Sequence, residues 1–449
     1  MAKNKARIEL SDHFSYRRLL RFALPSVAMM LFTSIYGVVD GFFVSNLAGK
    51  TPFAAVNLIM PFLMILSTVG FMFGTGGSAL VAKALGEGDA SRANRYFSLL
   101  VYVSGALAFV IAVLGIVFLP GIAAWLGASG EMLADCITYG RIILLALPFF
   151  VLQLEFQSFF VTAEKPELGL GITVASGVTN MVLDAVLVTL LPAPYKLVGA
   201  AVATAMSQTV GGLLPLCYFF ARNNSLLHLG KTVFDGSAIL KAVTNGSSEF
   251  MSNLSMSLVG ILYNFQLLKY AGENGVAAYG VMMYVSFMFA ALFIGYSVGT
   301  APLFGYHYGA KNHFELKGLL RKSLLLVLIS SFAMTVAGVL LAAPLSLIFV
   351  GYDDALLSLT VRGFCIFAIS FLFMGLAIFS SGFFTALGDG LTSAVISFLR
   401  TLVFQTAAVW LLPLLFGIDG VWFSIIVAEG MAALLSVGFI FFKRRRYQY

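Results

Sequence analysis

The stretch 97–119, FSLLVYVSGALAFVIAVLGIVFL, runs for 23 residues without one charged side chain. At 1.5 Å of rise per residue, an α-helix of about that length crosses the roughly 30 Å hydrocarbon layer of a bilayer, and it closes its own backbone hydrogen bonds on the way. The rest of the chain repeats the pattern. Of 449 residues, 60% are hydrophobic and 10% charged, whereas roughly a quarter are charged in an ordinary soluble domain. Lipid must therefore solvate most of the surface. Apolar runs between charged or Gly/Pro-rich breaks predict helices near 19–46, 52–82, 94–119, 138–162, 168–191 and 197–221, then 238–268, 275–304, 320–349, 356–385, 392–415 and 419–442. The expected fold class is all-α, a polytopic membrane protein with twelve transmembrane helices in two six-helix pseudo-repeat lobes.

Composition also excludes function classes. The net charge of +7 is scattered between hydrophobic spans, with no basic stripe or nucleic-acid motif, so no nucleic-acid partner is expected. Cys136, Cys217 and Cys365 stand apart and read as packing residues. His13, His228, His307 and His313 read as tail or loop residues without metal-ligand spacing. No metal and no cofactor is expected. Eighteen mostly polar residues precede the first span, with no small-residue cleavage site behind a short apolar core, so that span is expected to be retained. No nucleophile–base pair lies in the spans and no Walker A loop occurs, so the chain is not expected to be an enzyme or to use ATP directly.

With the N-terminus inside, the cytoplasmic segments hold 21 of the 27 Lys and Arg: Lys3, Lys5, Arg7, Arg17, Arg18 and Arg21 in the first, Lys443 to Arg446 in the last. The outer loops hold only Lys50, Lys196 and Lys269. The asymmetry predicts both termini in the cytoplasm, and the chain is expected in the plasma (inner) membrane. The halves also echo one another. A shift of 223 lays Ala48-Gly49 on Ala271-Gly272, Gly76 on Gly299 and Gly86 on Gly309; a shift of 224 lays Phe159-Phe160 on Phe383-Phe384. Six helices per repeat give both repeats one orientation, related by an axis along the membrane normal. The predicted units are 1–222, a first lobe holding the cation-coupling site; 223–236, a cytoplasmic linker; and 237–449, the second lobe.

Carboxylates are costly in hydrocarbon and mark function by default. Asp40 lies deep in the first helix, one turn beyond Tyr36. Asn180 and Asp184, four apart, share a face of the fifth helix, and Thr204 follows the small-residue run Gly199–Ala203 in the sixth. Two neighbouring carboxylates out of water resist ionising together, so the set suits a proton carrier; the same oxygens suit Na⁺. In the second repeat Tyr263 falls opposite Asp40, Thr401 opposite Asn180 and Gln405 opposite Asp184 under shifts of 223 and 221, so coupling is expected in the first lobe. Arg400 is expected to neutralise Glu429 across neighbouring helices, Glu155 has no assigned role, and Glu249 is a candidate anion for a cationic substrate. With Asp40, the set Met251, Met256, Tyr263, Met282, Met283, Phe287 and Met288 would offer adaptable thioether and aromatic faces to flat organic cations.

The chain resembles the multidrug and toxic compound extrusion (MATE) family over nearly its whole length, in a bacterial DinF-like branch. Leu24-Pro25 and Val39-Asp40, Gly86-Glu87-Gly88-Asp89, Asn180 with Asp184, Gly199 to Thr204, and Tyr308-Gly309-Ala310-Lys311-Asn312 carry the resemblance. It implies two six-helix lobes in a V and antiport of amphipathic or cationic drugs against H⁺ or Na⁺. It implies a coupling site at Asp40, Asn180, Asp184 and Thr204, and Pro25 as the hinge of a bending first helix. A second Na⁺ site in the second lobe, which some relatives have, finds Glu249 but no matching acid on helix ten, since Asp353-Asp354 falls in the loop before it. A lipid-precursor flippase of related fold is the other reading of such a chain, but it should show extra helices and a strongly cationic cavity. Membrane lipids and small organic cations are the expected partners, and a monomer the expected state.

Overall fold

The computed structural model of the chain describes residues 8–44, 50–351 and 353–449, all of whose regular structure is helical. Lys3, Lys5 and Arg7, and the repeat-matched Ala48-Gly49, lie outside the described residues. The first half forms α1 (Tyr16–Phe43), α2 (Lys50–Gly86), α3 (Ala90–Trp125), α4 (Gly130–Thr162), α5 (Pro166–Val188) and α6 (Lys196–Phe220). Helical hydrogen bonding then runs without a gap over the 74 residues Gly236–Gly309. A straight helix of that length would reach about 110 Å, several times a bilayer. Gly272, at φ 61° and ψ −152°, a region open to glycine, reverses the chain. Tyr263 stacks on Tyr279 across the reversal, ring centroids 5.0 Å apart. The segment is thus two antiparallel spans, α7 (236–271) and α8 (273–309).

Four spans complete the second half: α9 (His313–Val350), α10 (Asp354–Ala368 continuing as Phe371–Ala386), α11 (Gly390–Phe416) and α12 (Ile418–Tyr447). The twelve spans among the described residues agree with the sequence reading. Two local features do not follow from it. The helix expected over 356–385 bends by 48° between its two pieces, where the Ile369 and Ser370 amides bond to Ile366 and Phe367 three residues back, a tighter turn than the α-helix. α5 and α11 each contain a π-helical stretch, Asp184–Val188 and Leu399–Phe404. Two side-chain readings also change. His307 is in the last turn of α8 and buried, because that helix runs on to Gly309; Cys217 is exposed on α6, whereas Cys136 packs in the core.

Each half has its own apolar core, one around Phe97, Phe156, Phe159 and Phe219, the other around Phe364, Phe371 and Trp422. The halves meet about a pseudo-twofold axis that the glycines make visible. A Cβ on Gly86 would fall 2.0 Å from the Tyr306 carbonyl oxygen, and one on its repeat mate Gly309 would fall 2.2 Å from the Lys83 oxygen. Gly76 of α2 packs on Gly246 of α7, and its mate Gly299 of α8 packs on Ala23 of α1. Only glycine permits such backbone approach in a membrane bundle. These contacts lie at one end, the base. There Leu10 donates its amide to Glu164, Phe14 donates to Glu315, and Tyr449 packs on Phe383, so the first and the last described residues sit at the base. In the far half of α8, Tyr284, Phe287 and Met288 are exposed. The lobes are joined at the base.

Candidate functional site

Gly177 of α5 lets α1 lie close: a Cβ there would come within 2.5 Å of the Phe32 ring and 2.8 Å of the Tyr36 ring. That approach carries Asp40 to α6, where Thr204 Oγ1 donates to Asp40 Oδ1 at 3.3 Å. Asn180 Nδ2 donates to Thr204 Oγ1 at 3.4 Å. Asp184, one turn beyond Asn180, opens the π-helical stretch and is wholly buried beside Asp40. Neither Asp184 oxygen, nor Asn180 Oδ1, has a hydrogen-bond partner. Tyr36, one turn before Asp40 on the same helix, is near enough to the carboxylate to feel its charge. The structure therefore brings together all five residues of the predicted coupling set: Asp40, Asn180, Asp184, Thr204 and Tyr36. Among the described residues, neither acid has an ion pair with Lys or Arg.

Sequence reasoning missed the support. Tyr139 of α4 is fully buried and faces Asp40, Asp184 and Thr204. Nearer the base, Gln153 Nε2 donates to Ser176 Oγ at 3.3 Å, and Ser176 Oγ donates to the Ser207 carbonyl at 2.8 Å, tying α4, α5 and α6. The Gln153/Gln157 spacing on α4 was the available signal, since two amides one turn apart in an apolar span need a partner. Glu155, between them in sequence, turns the other way and accepts from Ser104 of α3.

The second lobe has a different answer at the matching places. Tyr263 is in the core against Tyr279, and Thr401 donates to its own helix at the Ser397 carbonyl, 2.7 Å away. Arg400 Nε donates to both Glu429 oxygens, at 3.0 and 2.8 Å, as the sequence suggested. Glu249 of α7 is near enough to Arg400 to feel its charge.

The residues predicted to meet substrate do not form one surface. Tyr263 and Met282 are core residues, Met282 seated over Gly363. Met251 and Met283 are half-buried, and Met256, Phe287 and Met288 are exposed. Pro25 is inside an unbroken α1, between Ala23 and Val27, both of which touch α8 glycines at the lobe junction.

Comparison with known proteins agrees with this architecture. The family model MatE matches residues 25–186 and again 250–411, two stretches that begin 225 residues apart. The multidrug export protein MepA of Staphylococcus haemolyticus is 26% identical over 432 residues, covering 96% of this chain and 94% of that protein. A solved structure described as an outward-facing conformation of a multidrug resistance MATE family transporter superposes with a TM-score of 0.89 at 23% identity, over 97% of both chains. One described as MATE in the straight conformation gives 0.90 at 22% identity, also over 97% of both.

Proposed function

Because the chain belongs to the MatE family, we propose that it is a secondary active multidrug efflux antiporter of the plasma membrane, with both termini cytoplasmic. It exports amphipathic organic cations in exchange for H⁺ by alternating access. The observation that carries this reading is the uncompensated acid pair. Asp40 and Asp184 face one another inside the first lobe with no fixed cation among the described residues, and neither Asp184 oxygen has a donor there. A buried carboxylate is tolerated only when neutralised or paired. Where the protein supplies no partner, a mobile one must come and go.

Protonation removes a negative charge from the site, and a drug cation competes for the same charge. Exclusive occupation of one site by proton or drug in alternating states gives antiport, because each ligand favours the opposite charge state. Lobes joined at the base represent the state closed toward the cytoplasm, from which the proton enters and drug leaves. The same unpartnered oxygens are hard ligands, so Na⁺ is the competing occupant. Dye efflux from proteoliposomes separates the two: a pH gradient alone should drive efflux and a Na⁺ gradient alone should not. Efflux that needs Na⁺ and ignores the pH gradient would turn the assignment to sodium.

A further inference from the structure

A void of about 10 Å³ lies inside the first lobe, on the base side of Asp40, lined by Gln153, Gln157, Gly169, Thr173, Gly211 and Pro215 among others. That is about the volume one water needs, and a buried water also needs two to four polar partners. Here they are present. Gln157, 4% exposed, has no partner for either amide atom, and Gln153, also 4% exposed, has none for Oε1. Pro215 has no N–H to donate to the carbonyl four residues back, and that residue is Gly211 on the wall of the same void. The repeat mate of Gln157 under the 224 shift, Ser381, is satisfied by Ser393 and Ser397 at 2.8 and 2.9 Å, so the matching position of the second lobe makes no such demand.

The void is also on a line between the acids and the base. Tyr36 of α1 is near Gln153, which lines the void, and near enough to Asp40 to feel its charge. Gln157 is one turn nearer the base than Gln153, and Gly169 and Thr173 belong to the first two turns of α5. The titratable groups around the acids are Tyr36 on α1, Tyr139 on α4 and the two aspartates themselves.

We propose that this void binds one water, held by the Gln153 and Gln157 amides and the Gly211 carbonyl, and that this water is the station through which the coupling proton leaves Asp40 and Asp184 toward the base. The proposal rests on proton coupling at the acids. In the release step the carboxyl O–H breaks, its proton passes to the water, and the water passes one on to the cytoplasmic solvent. A carboxylate is left behind and one proton reaches bulk. Gln153 and Gln157 are positioning residues, since amides orient the water and do not themselves titrate.

The test uses the full chain in proteoliposomes with ethidium as probe. Gln157→Met keeps side-chain length and removes both unpartnered amide atoms. Efflux driven by a pH gradient at saturating ethidium should slow about tenfold, the equivalent of one lost hydrogen bond in the rate-limiting step. Equilibrium ethidium binding and its pH midpoint should stay at the unsubstituted level, which a general structural defect would not allow. Unchanged turnover in folded Gln157→Met, with Asp40→Asn inactive in parallel, overturns the water station alone; gradient-driven efflux by Asp40→Asn overturns the coupling reading beneath it. Should Gln157→Met not fold, density for the unsubstituted protein decides: a water within hydrogen-bond reach of Gln157 and the Gly211 carbonyl supports the station, and its absence removes it.

Discussion

The two lobes share a backbone plan and answer the same electrostatic problem in opposite ways. Both have six helices, both break their fifth helix with a π-helical stretch, and both offer glycine to the partner at the pseudo-twofold junction. In the second lobe the buried carboxylate Glu429 is permanently held by Arg400, and the position opposite Asp40 is an aromatic packed in the core. Among the described residues the first lobe gives Asp40 and Asp184 no cation and provides hydroxyl and amide neighbours instead. A duplicated scaffold can thus keep one half as a structural body and the other as the site of ion exchange. Symmetry sets the packing, and broken symmetry sets the chemistry.

The strongest challenge to that contrast is to exchange the chemistry while keeping shape. Asp40→Asn should reduce gradient-driven dye efflux to background, a loss of about a thousandfold or roughly 4 kcal/mol, and Asp184→Asn should follow it. Ethidium affinity should fall as pH drops through the site's titration, since protonation removes the charge that attracts the cation, and this dependence should be blunted in Asp40→Asn. The second-lobe mates should behave otherwise: Gln405→Leu should keep turnover within about threefold, less than one hydrogen bond's worth. Efflux assays on all three at matched protein level decide it, and equal losses in both lobes would dissolve the distinction.

The Arg400–Glu429 pair sharpens the other side of the comparison. Arg400→Met leaves Glu429, 1% exposed at its side chain, without its cation, and removing one partner of a buried pair costs about 3 kcal/mol. The double variant Arg400→Met with Glu429→Gln should recover most of that, because no lone charge remains. Thermal unfolding in detergent reads both. A double variant that is as unstable as the single one, or that loses ion coupling, would show that this pair is more than structural.

Pro25 has no counterpart in the second lobe, where the position 223 residues on is Ser248, buried in α7. Pro25 cannot donate to the Arg21 carbonyl, so α1 has one weak link at the lobe junction that α7 lacks. Pro25→Ala restores the bond, and it should slow turnover several-fold while changing the melting temperature by no more than about 2 °C, the shift expected from a few tenths of a kcal/mol. Unchanged turnover would move the hinge elsewhere.

How much of this was legible follows from the range of the forces. Helix number was readable because hydrocarbon imposes a length on every span, and the Asp40, Asn180, Asp184 and Thr204 set was readable because acids in hydrocarbon are rare and i, i+4 spacing fixes a face. Tyr139 and the Gln153–Ser176–Ser207 tie were not, since each is ordinary within its own helix and gains meaning only when α4, α5 and α6 meet. Aromatic and Met residues misled for the same reason: Met282 and Met288 are six apart on α8, yet one is in the core and the other exposed. The α10 bend and the π-helical stretches have no Pro or Gly at the break to announce them.

The smallest expected effect concerns how each lobe caps its fifth helix at the base. Lys165 precedes α5 and makes no side-chain cap bond, with Pro166 taking the first helical position. In the other lobe Asp389 caps α11: it accepts from the Thr392 amide at 3.3 Å, from the Thr392 hydroxyl at 2.8 Å and from Lys443 Nζ of α12 at 2.6 Å. Burial pushes the Asp389 carboxyl up, but the Lys443 and Thr392 donors outweigh it and hold the group below the usual aspartate range. A carboxylate lowered on folding contributes stability above its ordinary value and loses it as pH falls through the lowered one. The unsubstituted protein should therefore lose part of its melting temperature between neutral pH and strong acid, and Asp389→Asn should lack that part of the slope. At pH 7 Asp389→Asn should cost about 1–2 kcal/mol, since the amide keeps the cap bond but gives up the charge that Lys443 meets, whereas Lys165→Ala should cost under about 0.5 kcal/mol because no cap bond is given up. Equal melting curves for the two variants would mean that the Lys443 contact contributes nothing, and that the base of the second lobe is held by its apolar cluster alone.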